Sequence, residues 1–224
     1  HFWWGMCGGS LAASKPGEHF LPAKILEEVH GQRVTHLHFV PSVFELFLDY
    51  LKDHKDELYK FSTVKYVFVS GEALSVNTVQ KFYSLFSFEN VTLHNLYGPT
   101  ECAVDVTYYD CTPDDKKIVP IGKPIYNTQL YITDKHLNAV PVGVTGELCI
   151  AGVNVGKGYI NNPELTAERF VDNPFGEGKL YKTGDLAYWR EDGNIVFVGR
   201  NDFQVKLRGL RIELGEIESA VSAV

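Results

Sequence analysis

A chain of 224 residues, 45% hydrophobic and 22% charged, has room for one large domain, or a large domain and the start of another, with a packed core. Its formal net charge of -7 and pI near 5.6 argue against nucleic acid or anionic membrane as the main partner. No apolar run approaches the roughly 18 residues of a membrane span, and Cys7, Cys102, Cys111 and Cys149 form no CxxC pair, so they read as reduced thiols of a cytoplasmic protein.

The chain opens at His1 without an initiator Met and stops at Val224 inside a helical pattern, so both ends are expected to be cuts in something longer. Pro22 occupies a good first helical position, and Ile25, Leu26 and Val29 form a short apolar face closed by Gly31. Val34 to Val40 reads as a strand. Ser42 then opens a helix, with Glu45 three residues on to complete a capping box. Lys65 to Ser70 is a second apolar strand, Ser75 can cap a helix with the face Val79, Phe82, Tyr83 and Phe86, and Val91 to Asn95 is a third strand. This alternation predicts an α/β fold with a parallel, doubly wound sheet, because parallel strands need crossovers and helices supply them.

Ligands of such sheets bind beyond the carboxyl ends of the strands. Two of those ends are Gly71-Glu72-Ala73 and Tyr97-Gly98-Pro99-Thr100-Glu101, and the pattern alone nominates them. The character changes near residue 110. Short β-rich runs follow at Thr128 to Thr133, Gly146 to Ile150, Leu180 to Thr183, Asn194 to Val198 and Val205 to Leu207, separated by turn signals such as Asp192-Gly193. The expected organisation is an α/β part over 1–110, a small β-rich subdomain over 111–200, and the start of a C-terminal α+β subdomain over 201–224, where a helix begins near Glu213.

Singly, the chemical candidates are weak. Gly152, Gly156 and Gly158 match neither a dinucleotide fingerprint nor a phosphate loop and read as turns. His36 and His38 share a strand face without a third metal ligand nearby. Glu101 alone reads as a solvated carboxylate, Tyr97 as a core aromatic and Asp185 as a turn cap. Their order is more telling. The runs Asn95-Leu96-Tyr97-Gly98-Pro99-Thr100-Glu101, Gly146 to Gly152, Gly156 to Tyr159, Tyr181-Lys182-Thr183-Gly184-Asp185 and Gly199 to Glu218 together resemble the adenylate-forming superfamily. Within it, the chain is most similar to the amino-acid-activating adenylation domains of nonribosomal peptide synthetases.

The resemblance implies ATP and Mg²⁺ as reactants, activation of a carboxylate at the α-phosphorus, and transfer to a phosphopantetheine thiol on a peptidyl carrier domain beside other synthetase domains. Such a site must hold adenine and ribose and neutralise phosphate charge. It implies that the Tyr97 ring packs on adenine, that Glu101 is the Mg²⁺-associated carboxylate, and that Thr100 contacts phosphate. Asp185 takes the ribose hydroxyls with Arg200 assisting, while Asn95 and Gly98 belong to the nucleotide loop and Gly71, Glu72 and Ala73 border adenine and substrate. Asp202 resembles the hinge of the small subdomain, followed by Lys206, Arg208 and Gly209. The family's phosphate loop and amino-group aspartate are expected before His1 and its catalytic lysine beyond Val224, so these 224 residues alone are expected to be inactive. Lys157 stands where arginine is commoner and lacks the bidentate fork.

Matching the family's pocket positions gives His38, Phe68, Ser70, Leu96, Val104 and Asp105. Three polar groups in an apolar lining imply a substrate hydroxyl or small amide, since each left unpaired costs roughly 1–3 kcal/mol. The set is similar to the one the family uses for serine, with threonine the nearest competitor. His38 and Ser70 satisfying one another is the plainer alternative. An acyl- or aryl-CoA ligase and a non-catalytic interaction segment are the competing functions.

Overall fold

The computed structural model describes residues 6–201, the backbone of 204–207 and 210–213, and position 221. The hinge residue Asp202 lies outside the described residues, as do Arg208 and Gly209; the helix expected from about Glu213 does not start there, since Glu213 ends a strand, and 214–220 are outside the described residues.

The first half is a five-stranded sheet in the order β1 (His36–Phe39), β2 (Tyr66–Val69), β3 (Thr92–Tyr97), β4 (Thr107–Cys111) and β5 (Lys123–Pro124). The first three strands are parallel, as their helical crossovers predict, and the last two run antiparallel. The sheet therefore continues beyond residue 110, through β4, whose Thr-Tyr-Tyr-Asp run shows no apolar alternation, and the two-residue β5.

Three helices cover one face: α1 (Pro22–Gly31), α2 (Pro41–Asp53) and α3 (Val76–Leu85). Proline at the start of α1 and α2 forfeits only an N–H that has no helical partner there. In α2, Phe44, Phe47, Leu48 and Leu51 recur at helical spacing and are fully buried against Phe39, Val67, Val69 and Leu93 of the sheet. Ser75 caps α3 as expected, accepting from the Thr78 N–H at 3.1 Å. The capping box of α2 does not form. Its N-cap is Val40, the Ser42 hydroxyl is buried with no hydrogen-bond partner among the described residues, and Glu45 turns to Lys81 at 3.5 Å. Glu72, from the loop after β2, caps α2 instead by accepting the Ser42 N–H at 3.1 Å.

No described helix covers the other face of this sheet, where His36, Tyr66, Phe68 and His94 stack their rings. Alternation along the strands puts His38, Phe68 and Leu96 on this open side, opposite the buried Phe39, Val67 and Tyr97.

A second, antiparallel sheet has the order β10 (Ile195–Arg200), β9 (Lys179–Trp189), β7 (Gly146–Gly152) and β6 (Thr128–Thr133), with β8 (Phe170–Asp172) also paired to β9. The short helix α4 (Pro163–Arg169), capped by Asn162, precedes β8. β9 runs through Gly184 and Asp185 instead of stopping at Thr183, because Gly184 takes φ 75° and β7 slips register opposite it. The sheets are joined at Ile195, which accepts from the Ile121 N–H at 2.9 Å and donates to Gly122 O at 2.8 Å. A hairpin of β11 (Gln204–Leu207) and β12 (Leu210–Glu213) follows, with the Lys206 backbone within β11.

Candidate active site

The junction of the two sheets gathers most of the nominated residues. Tyr97, at the end of β3, is only 8% exposed and lies in the core shared with Ile121, Ile150 and Tyr181. Its hydroxyl donates a short hydrogen bond to Asp185 Oδ2. Burial, and then the Asp185 charge, hold the Tyr97 phenol well above its usual range, so it stays protonated as a donor.

Asp185 is 3% exposed in the middle of β9. A bulge in β10 between Phe197 and Gly199 re-registers that strand and sets Arg200 opposite it. Arg200 Nη1 meets Asp185 Oδ1 at 2.5 Å, and Nη2 donates to Thr183 O at 3.3 Å. The Thr183 hydroxyl donates to Leu148 O at 2.7 Å and accepts the Asp185 N–H at 2.9 Å. Glu147 Oε1 takes the Gly184 N–H at 3.0 Å. A carboxylate this deep needs its charge met by a cation and hydrogen-bond donors, and Arg200 and the Tyr97 hydroxyl supply them.

Past Tyr97 the chain makes a tight turn through the 3₁₀ segment Thr100–Cys102. Gly98 is required there: a Cβ on it would sit 2.1 Å from Val104 O, so only glycine lets the two arms of the loop touch. Ala103 and Val104 then adopt left-handed backbone, φ 58° and 80°. For a β-branched residue such as Val104 that is a strained position, of the kind that gathers where ligands bind. Thr100 is exposed at the turn's tip, while the half-buried Glu101 receives the Tyr159 hydroxyl on Oε1 at 2.8 Å.

The turn delivers Asp105 toward the open face of the first sheet. Parallel register aligns His38 with Phe68, and His38 Nε2 lies 2.7 Å from Ser70 Oγ. The plainer reading of that pair is therefore realised in its geometry. Asp105 differs, because its Oδ1 is buried without a hydrogen-bond partner among the described residues. Burial raises the Asp105 carboxyl, opposed by His38, and burial lowers the His38 imidazole, opposed by Asp105. Leu96 neighbours these groups on the same face, and Val104 keeps 43% of its surface exposed at the rim.

Two nominated residues, Asn95 and Glu72, are engaged by the protein itself. Asn95 is 3% exposed and its amide donates to Pro120 O at 2.8 Å, tying β3 to the segment before β5. Glu72 serves the start of α2, while Gly71, at φ 94°, makes the bend that lets it reach there, and Ala73 is exposed beside it. Two residues within the recognised motifs carry more than the sequence reading gave them: Tyr159 touches Glu101, and Tyr181 lies behind it with a hydroxyl 3.4 Å from that of Tyr159. Aromatic residues inside glycine-rich motifs were the available signal.

Glu101 presents one carboxylate at this turn, and a divalent cation such as magnesium is commonly held by one or two carboxylates supplemented by phosphate oxygens and water. All four cysteines are free, and no described helix is long and apolar enough to cross a membrane.

The AMP-binding enzyme family model matches residues 1–160. Zwittermicin A synthase ZmaJ of Bacillus cereus is 49% identical over 98% of this chain, which spans 42% of that protein. Phosphinothricin tripeptide synthetase PhsB of Streptomyces viridochromogenes is 44% identical over 99% of the chain, here only 18% of the relative. Among solved structures, PA1221, an NRPS protein containing adenylation and PCP domains, superposes with a TM-score of 0.80 at 27% identity, covering 89% of this chain and 40% of its own. The chain thus belongs to the AMP-binding enzyme family, and its likeness within that family is to the adenylation domains of nonribosomal peptide synthetases.

Proposed function

We propose that this chain is the nucleotide- and substrate-reading part of a domain that adenylates L-serine and hands it to a carrier protein. A serine carboxylate oxygen attacks the α-phosphorus of ATP, the bond to the bridging oxygen breaks, and pyrophosphate leaves with that electron pair. The seryl-AMP formed is then attacked by the phosphopantetheine thiol of a carrier domain, releasing AMP. Mg²⁺, when bound, neutralises phosphate charge.

The residues present divide this work. Asp185, oriented by Arg200 and Tyr97, offers a charged acceptor to ribose hydroxyls. Tyr97 and Gly98 shape the adenine side, with Gly71, Glu72 and Ala73 at its border. Thr100 and Glu101 would meet phosphate and Mg²⁺, while Asp202, the nominated hinge, lies outside the described residues. Free cysteines agree with a cytoplasmic setting.

The single observation that carries the serine reading is the Oδ1 of Asp105, without a hydrogen-bond partner among the described residues, beside the His38–Ser70 pair. A buried acceptor with an open bond favours a ligand that brings a donor, and a pocket built to bond a hydroxyl rejects an analogue that lacks one. Phe68, Leu96 and Val104 limit its size. The same open bond disfavours an acyl- or aryl-CoA ligase, whose substrates would leave it unmet. Amino-acid-dependent pyrophosphate exchange by the full-length parent enzyme tests the reading. Serine is expected to be fastest, and faster exchange with alanine or threonine would refute it.

A further inference from the structure

The glycine-rich run from Gly152 to Tyr159 matches no phosphate-binding spacing, yet it is folded directly over the turn that carries Glu101. The Gly156 N–H donates to Glu101 O at 2.8 Å, and Asn154 Nδ2 donates to Cys102 O at 3.3 Å. A Cβ on Gly156 would come within 2.9 Å of Glu101 O, so glycine is what allows the strands of this bracket to close. Tyr159, at the end of the run, donates its hydroxyl to Glu101 Oε1 at 2.8 Å.

Tyr159 is itself held from behind. Its N–H donates to Thr166 Oγ1 of α4 at 2.9 Å. Gly158, at φ 136°, lies so close to Thr166 that a Cβ would stand 2.3 Å from the threonine methyl. The Tyr159 ring meets Phe170 edge-on at 5.4 Å, and Phe170 in turn packs on Tyr181 at 4.9 Å. A phenol whose backbone, ring and hydroxyl are all constrained can fix the orientation of a carboxylate that it bonds.

We propose that Tyr159 is a positioning residue for Glu101, holding its carboxylate in one orientation toward the divalent cation that accompanies the nucleotide. This rests on the adenylation reading of the site. The Gly152–Tyr159 bracket then couples metal binding to the docking of α4, rather than binding phosphate itself.

The test uses the full-length parent enzyme carrying Tyr159→Phe, which keeps the ring and removes only the hydroxyl. Mn²⁺ is titrated by electron paramagnetic resonance with a non-hydrolysable ATP analogue present. Mn²⁺ affinity is expected to fall roughly 10-fold, as for other groups that orient a metal ligand. The KM for serine and the melting temperature should stay close to wild type, and saturating Mg²⁺ should restore most of the exchange rate. Gly156→Ala, which pushes on the Glu101 backbone by an independent route, is expected to weaken Mn²⁺ in the same sense. Unchanged Mn²⁺ affinity in Tyr159→Phe would overturn the proposal, and so would a loss shared equally by serine KM and melting temperature, since that marks simple packing. Absence of exchange in the wild-type parent would instead refute the adenylation reading, while the Mn²⁺ comparison is read separately.

Discussion

Asp185 and Asp105 are both carboxylates drawn out of solvent, yet their surroundings differ. Around Asp185 the second sheet supplies Arg200 and the Tyr97 hydroxyl reaches in from the first, so the charge is met before any ligand arrives. Around Asp105 the loop supplies strained backbone at Ala103 and Val104 and leaves Oδ1 without a partner among the described residues. A group that meets a ligand common to every turnover profits from being preorganised by rigid strands. A group that selects one ligand among many is placed on a loop, where it can be changed without disturbing the sheet. On the proposed assignment, the nucleotide side is built like a core and the substrate side like a rim.

The contrast can be broken most readily at Asp185. Asp185→Ala strands a buried guanidinium, and unfolding in urea should show a loss of about 3–5 kcal/mol together with loss of pyrophosphate exchange. A loss of under about 1 kcal/mol would mean the network is not the core-like element described, because even a surface pair reaches that value.

Gly98→Ala probes the loop that joins the two regions. With its Cβ overlapping Val104 O, overpacking is expected to cost roughly 1–3 kcal/mol and to raise the KM for serine more than that for ATP. Equal rises would mean that the loop serves both ligands alike.

Glu72→Ala removes the cap that α2 borrows from the β2 loop. A loss near 1 kcal/mol by thermal melting is expected, with Glu72→Asp falling between the two. If Ser42→Ala cost as much as Glu72→Ala, the cap would have been assigned to the wrong residue.

The smallest effect has the opposite sign. Asp105→Asn removes a carboxylate that burial makes reluctant to ionise, and at pH 7 it should stabilise the fold by about 0.5–1 kcal/mol while weakening serine selectivity. The raised folded pKa means that the native state takes up this proton first. Wild-type stability from this group therefore rises as pH falls through the raised value toward 3.8, and the Asn variant lacks that rise. His38 works the other way. Its lowered folded pKa means that the unfolded chain is protonated first, so stability falls as pH drops below 6.5, and His38→Gln should flatten that limb. Melting temperatures across pH 4–8 (a range of about four units) separate the two slopes.

Much of the first sheet was legible because its strands are apolar, its helices repeat buried residues at helical spacing, and Ser75 and Pro22 carry local start signals. The α2 cap misled because Ser42 and Glu45 have the right spacing for a capping box, while the closer carboxylate arrived from residue 72. β4 and β5 escaped notice for want of apolar alternation, and the bond from the Asn95 amide to Pro120 O leaves no local signal.

The order of the motifs, read from the chain alone, was enough to identify the family, the parallel strands and the loop after β3 as a site. It also named Tyr97, Glu101, Asp105 and Asp185 without saying what each touches. Those pairings belong to the tertiary structure. Tyr97 and Asp185 are separated by 88 positions, and Glu101 and Tyr159 by 58. A hydrogen bond between side chains that far apart leaves no periodicity or cap in the local sequence. It exists only because two sheets, each folded by its own apolar pattern, meet over a shared core and bring the polar ends together where water is excluded.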